Sequence, residues 1–298
     1  MNSALSSSIE AAQALVAVLR RHGAKISSKL AFSFKPPPLN MRFMCVSAPN
    51  GVDAGEVLAE IPRSLWLDGR EEHSHMSRIL GENVANAHWQ IGLAGRLYKE
   101  SSVSSSLWEK YVTALPQWDL GHSPVAFSLQ QLKALHYEPV CRLILRRQQA
   151  LKDTLESWKL NDHDGYSHLS EQSLIRMLAC ITSRAFEIQI GHDYNMSKSN
   201  HCKNGAEQIN CTRSIYGSGE GGSAHHDISS KNVVKCVLPL MDMANHSFKP
   251  SARLGLSSDA QAIRLVATHP MKTGEEITIN CKRRERRARI QERVKGNV

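Results

Sequence analysis

The feature that most constrains the fold is a double change in hydrophobic period. Residues 29–67 read "KLAFSFKPPPLNMRFMCVSAPNGVDAGEVLAEIPRSLWL". Short alternating runs, a triple proline and a Pro-Asn-Gly turn are the pattern of β-strands joined by tight turns. From about residue 70 to 190 the period becomes helical. After residue 231 strand character returns in "NVVKCVLPLMDMA" and "AIRLVATHPMKTGEEITINC". If the two β-patterned ends pair, the helices between them are an insertion into one α+β fold rather than a separate domain. No internal repeat is present.

The helices have readable ends. Residues 9–22 place Ala11, Leu15, Val18 and Leu19 on one face, put Arg20 and Arg21 in the last turn, and stop at Gly23. "NVANAHWQIGLAGRLYKE" (83–100) reads as one helix. "SLWEKYVTALP" (106–116) spaces Trp108, Tyr111 and Leu115 about a turn apart, which marks core positions. The long charged stretch 128–160 is broken near Pro139, and 170–190 opens on Ser170 as an N-cap.

Residues 191–231 are polar and rich in Gly and Ser, the composition of a flexible loop. His201, Cys202, Cys211, His225 and His226 fall there, but with no familiar zinc-ligand spacing, so a loop without metal is expected. The resulting division is an N-terminal helix and first β segment (8–68), a helical block (69–190), a loop (191–231), a second β segment (232–281) and a basic tail (282–298).

Charge and cysteine usage narrow the partners. The formal net charge is +9, but the tail 282–298 holds eight Lys/Arg and two Glu, or +6, leaving +3 for the body. A pI set by a tail is a poor argument for nucleic-acid binding. The seven cysteines are dispersed, which fits reduced thiols in an intracellular compartment and leaves plastid, cytoplasm and nucleus open. No apolar run approaches the roughly 20 residues of a membrane span, and the N-terminus lacks a secretory cleavage pattern. A monomer is expected. No Walker loop, GxGxxG, GxSxG or HExxH pattern occurs.

One ordered set of motifs carries chemistry: "GEVLAEIPRSLWL" (55–67), "TSRAFEIQI" (182–190), "PLMDMANHSFKPSA" (239–252) and "KTGEEITIN" (272–280). In this order they resemble the SET-domain protein methyltransferases of the Rubisco large-subunit lysine methyltransferase branch. The helical block, with its "SLWEKYVTALP", is similar to that branch's insertion. The resemblance implies a SET-type β fold and methyl transfer from S-adenosylmethionine to a lysine of a protein substrate. It implies that Arg184 pairs with the donor's carboxylate, that Asn245 and His246 hold its amino group and adenine, and that Ser183, Phe186 and Asp242 line the target side. No metal is implied. Some relatives methylate histidine, and the sequence does not choose between the two acceptors.

The chain departs from the family in three places. Phe43, Met44 and Cys45 stand where the family has a glycine-rich donor loop, and these side chains are expected to obstruct the donor. Cys281 stands where the family has a tyrosine, so no catalytic residue carries over. The basic tail occupies the place of the family's last SET segment and C-terminal helical domain, as expected of a truncated member. A catalytically inactive protein-binding module is the alternative function.

Overall fold

A computed structural model describes residues 2–35, 42–115, 123–160, 165–189, 212–213 and 233–280. The expectations for the loop 191–231, apart from Thr212 and Arg213, and for Cys281 and the basic tail lie outside the described residues.

The first helix, α1 (Asn2–Arg21), begins before the expected residue 9, because the Ser-rich start carries no apolar period to mark it. It buries Ala12, Leu15, Val18 and Leu19. Strands β1 (Lys25–Ile26), β2 (Leu30–Phe34), β3 (Arg42–Val46), β4 (Val57–Pro62) and β5 (Leu67–Asp68) follow. The helical block comprises α2 (Arg70–Leu80), α3 (Glu82–Ala87), α4 (Trp89–Ser101), α5 (Leu107–Ala114), α6 (Leu129–Ala134), α7 (Glu138–Leu160) and α8 (Glu171–Arg184). Strands then resume: β6 (Phe186–Gln189), β7 (Thr212–Arg213), β8 (Val233–Val237), β9 (Asn245–His246), β10 (Ala252–Leu256), β11 (Ala262–Ala267) and β12 (Thr278–Ile279).

The two β-patterned ends do pair. β4 lies antiparallel to β11, with Glu60 opposite Arg264 and Ile61 opposite Ile263, in a sheet ordered β1-β4-β11-β10. A second sheet, β5-β8-β6-β7, joins a strand from before α2 to strands from after α8, so the helices end at Arg184 and the last residues of the expected 69–190 block are strand β6. The helices are therefore an insertion into one α+β fold. The cross-strand pair Glu60–Arg264, with Lys25 on the same carboxylate, closes the outer face of the first sheet.

Residues 83–100 form two helices rather than one, broken at His88 (φ −117°, ψ 24°). The reason is burial. α4 buries residues on nearly every side, from Trp89 through Leu97, whereas α3 buries only Ala85. One straight rod cannot meet both demands. α4 also runs close to α7: Trp158 occupies the space a side chain at Gly95 would need, and stacks on Tyr166 with ring centroids 4.5 Å apart. Pro139 sits in the first turn of α7, where its missing N–H costs nothing, so the break falls before it, at His136 (φ 49°). Ser170 caps α8 as expected, accepting from the Ser173 N–H.

Candidate functional site

The chain leaves β8 through a strained turn. Leu240 has φ 75° and ψ −49°, a conformation that costs a leucine about 1–3 kcal/mol and persists only where packing enforces it. Leu240 is fully buried, so packing does enforce it. The Asp242 N–H donates to the Leu238 carbonyl at 3.2 Å, and a single turn of 3-10 helix over Met241–Met243 follows. The result is that Asp242 points inward, 1% exposed, from a chain that has just left a core strand.

Two partners from the helical block meet it there. α8 ends on Arg184, whose Nη1 donates to Asp242 Oδ2 at 3.0 Å and to the Asp242 carbonyl at 3.1 Å. α5 contributes Tyr111, whose hydroxyl donates to the same Oδ2 at 2.8 Å. Burying an ion pair is costly unless hydrogen bonds satisfy both ends. Here Asp242 Oδ2 takes a cation and a phenol, and Arg184 Nη1 takes two acceptors, so the pair is satisfied in part. Burial works to lower the Arg184 pKa, but the Asp242 carboxylate and then Tyr111 reverse this, leaving it above the usual arginine value. Burial, reinforced by the Asp242 charge, raises Tyr111 well above an ordinary phenol, so it donates and does not ionise. The Arg184 Nε is buried and has no hydrogen-bond partner among the described residues.

β3 runs along one side of this cluster. Arg42 ties its start to α1, donating to the Ser8 carbonyl and hydroxyl at 3.0 and 3.2 Å, and reaches Met243 Sδ at 3.8 Å. Burial and the nearby Arg184 charge lower the Arg42 pKa. Phe43, Met44 and Cys45 form a regular strand paired with β2, not an open loop. Met44 is fully buried and Cys45 nearly so, while Phe43 is half-buried beneath the Lys35 ammonium.

On the other side of the turn, Asn245 and His246 form β9, which pairs in parallel with β12. Ser251 stitches the two segments: its hydroxyl donates to the Glu276 carbonyl at 2.8 Å and accepts from the Thr278 N–H at 2.9 Å. The Asn245 amide Nδ2 donates to Glu276 Oε1 at 2.6 Å, and Lys35 Nζ lies 2.7 Å from Glu276 Oε2. His246 is exposed and meets Phe248 edge-on, ring centroids 5.1 Å apart.

The structure thus brings Arg184 and Asp242 into direct contact, with Asn245 and His246 following Asp242 after Met243 and Ala244. Ser183 is half-buried and its hydroxyl donates back to helix carbonyls of Ala179 and Cys180. Phe186 is fully buried, opposite Cys236 in the second sheet. The sequence does not mark Tyr111, Glu276 or Lys35 as site residues. Tyr111 reads as a core aromatic, and nothing local signals a partner 131 residues away. A cleft of about 610 Å³ lies elsewhere, between Ser64, Trp66, Glu71, Arg96 and Trp108, and contains none of the predicted residues. Among the described residues no group of His, Cys, Asp and Glu is arranged to hold a metal, and no helix is long and apolar enough to cross a membrane.

Comparison with known proteins places this arrangement. The SET domain of LSMT bound to lysine and AdoHcy superposes with a TM-score of 0.57 at 15% identity, covering 93% of this chain and 54% of that one. Rubisco LSMT bound to sinefungin and monomethyllysine gives 0.54 at 16% identity, covering 94% and 54%. Rubisco LSMT bound to AdoMet gives 0.52 at 16%, covering 92% and 53%. At such identities the likeness is one of fold, and the chain spans about half the length of these proteins. A search of curated proteins finds no match. The SET domain family model matches residues 44–282, spanning both β ends and the whole helical block between them. The chain belongs to the SET domain family.

Proposed function

We propose that this chain is a SET-type protein-lysine N-methyltransferase that uses S-adenosylmethionine. The observation that carries the reading is Arg184. Its side chain is 12% exposed and held at Nη1 by Asp242, with a buried Nε donor left unsatisfied. An orphaned donor on a buried cation suits a carboxylate ligand, because the planar fork offers charge-assisted hydrogen bonds. The residues therefore fit the donor's amino-acid end, with Arg184 for its carboxylate and Asn245 and His246 alongside.

S-adenosylmethionine supplies an electrophilic methyl group on a sulfonium, and its displacement needs no acid catalyst. The protein's work is to bind, align and exclude water. In this reading Asp242 holds Arg184 from behind, since its carboxylate is buried and already takes two donors. Ser183 and Phe186 belong to the wall on the target side. The target lysine enters as a neutral amine, having lost its proton to solvent. The similar structures bound to lysine and to monomethyllysine support lysine as the acceptor class.

A second reading has its own observation. Asn245 and Arg184 are both engaged by carboxylates of this same chain, as they would be in an inactive protein-binding module that keeps the fold but takes no donor. Calorimetric titration with S-adenosylmethionine separates the two. The enzyme reading expects stoichiometric binding and a rise in melting temperature, equivalent to about 2.7 kcal/mol at a hundredfold excess over Kd. Asn245→Ala is expected to abolish it. Absence of binding at millimolar donor removes the enzyme reading.

A further inference from the structure

We propose that Glu276 is the acceptor for the donor's α-ammonium group and that Lys35 holds that position as an internal competitor. The inference rests on the function proposed above. Its starting point is an ammonium already seen at the site. Lys35 Nζ lies 2.7 Å from Glu276 Oε2, while the other oxygen, Oε1, accepts from Asn245 Nδ2 at 2.6 Å. One carboxylate thus bridges a cation and the amide of the motif residue.

The chemistry of exchange is simple. A carboxylate only accepts hydrogen bonds, and its two oxygens offer about four lone-pair positions. A lysine ammonium and an α-ammonium carry the same charge and the same three donors, so a position that suits one suits the other. The incumbent is weakly held: the Lys35 and Glu276 side chains are 31% and 22% exposed, a setting in which an ion pair is worth little. Glu276 itself is firmly placed. Its backbone bridges to Cys45, the neighbouring Ile277 N–H donates to the Met44 carbonyl at 2.8 Å, and Ser251 holds its own carbonyl. A fixed acceptor beside a replaceable cation is pre-organised for an incoming ammonium. Cys45, at the same spot, has its pKa raised by burial and then by Glu276, so no thiolate competes for the cation.

The test compares ligands that have the ammonium with one that lacks it. The full chain is titrated with S-adenosylhomocysteine and with 5′-methylthioadenosine, which has no amino-acid part. Lys35→Gln is expected to tighten S-adenosylhomocysteine by about two- to fivefold, the scale of a part-exposed ion pair. Glu276→Gln, which keeps an acceptor for Asn245 but removes the charge, is expected to weaken it by about tenfold. Neither change should move the affinity for 5′-methylthioadenosine. Equal effects on both ligands, or no effect of either substitution in a chain that does bind S-adenosylhomocysteine, overturn the proposal and leave the enzyme reading standing. Failure of the unaltered chain to bind either ligand overturns both. Lys35 lies toward the surface, so its variant gives an answer even if Glu276→Gln folds poorly.

Discussion

Tyr111 and Tyr166 each donate to a buried carboxylate that an arginine approaches, yet the two clusters differ in kind. Tyr111 bonds Asp242 at 2.8 Å and Tyr166 bonds Glu72 at 2.9 Å. Arg184 sits 3.0 Å from Asp242. Arg96 stands 3.6 Å from Glu72 and is drawn instead to Glu71 at 2.8 Å and Glu100 at 2.7 Å. The two settings bear differently on the groups within them. Arg184 is held above its usual range because Asp242, with Tyr111, overcomes the penalty of burial. Glu72 is pushed up by burial, and Tyr166 and the shared Arg96 only partly counter it. Asp242 has an arginine in direct contact, whereas Glu72 shares a more distant one and has its pKa raised by burial. The first cluster joins α5, α8 and the turn after β8, and lies in the proposed donor site. The second stays within the helical block.

The sharpest way to break this contrast is to remove one half of the Asp242 pair. Asp242→Asn leaves a buried guanidinium without its counter-charge, and a broken buried pair costs about 3–5 kcal/mol. Urea unfolding should show that loss, and donor binding should disappear with it because Arg184 is no longer fixed. Tyr111→Phe is milder. It removes only the hydroxyl and leaves Asp242 Oδ2 with one donor fewer, an effect of about 1–3 kcal/mol in a site this buried. The measurement that matters is the pairing of effects: Tyr111→Phe should weaken S-adenosylmethionine binding as well as stability. An unchanged donor affinity would mean the phenol serves the core alone.

How much of this was legible in the sequence depends on range. The double change of period located the helical insertion, and pairing of β4 with β11 follows from it. The N-cap at Ser170 and the core roles of Trp108 and Tyr111 are local facts of spacing. Element ends were less legible: α1 begins in a Ser-rich stretch without period, and the break at His88 answers to burial around α4 rather than to any local breaker. At the candidate site, motif order points to Arg184, Asp242, Asn245 and His246. It does not show that Arg184 and Asp242 hold each other, that Tyr111 joins them, or that Glu276 bonds Asn245. Those contacts span 58, 131 and 31 residues, and no periodicity reaches so far. Strand character at Phe43–Cys45 is legible in the alternating pattern of residues 29–67, but its pairing with β2 is not.

The smallest predicted effect tests the second cluster and carries a sign. Glu72 has its pKa raised above the ordinary 4.5, chiefly by burial, so between the unfolded and folded values the folded chain keeps a proton that the unfolded chain has released. Its contribution to stability is then fully present below about pH 4.5 and is lost as pH rises through the folded value. Glu72→Gln has no proton to lose, keeps an oxygen for the Tyr166 hydroxyl, and leaves Arg96 with Glu71 and Glu100. The variant should match the unaltered chain in acid and gain on it toward neutral pH, by under about 1 kcal/mol. Urea melts of both proteins at pH 4.5 and 7.5 give the difference directly. A variant that instead loses stability as pH rises would show that Glu72 works as a charged partner of Arg96, and the two tyrosine clusters would be alike after all.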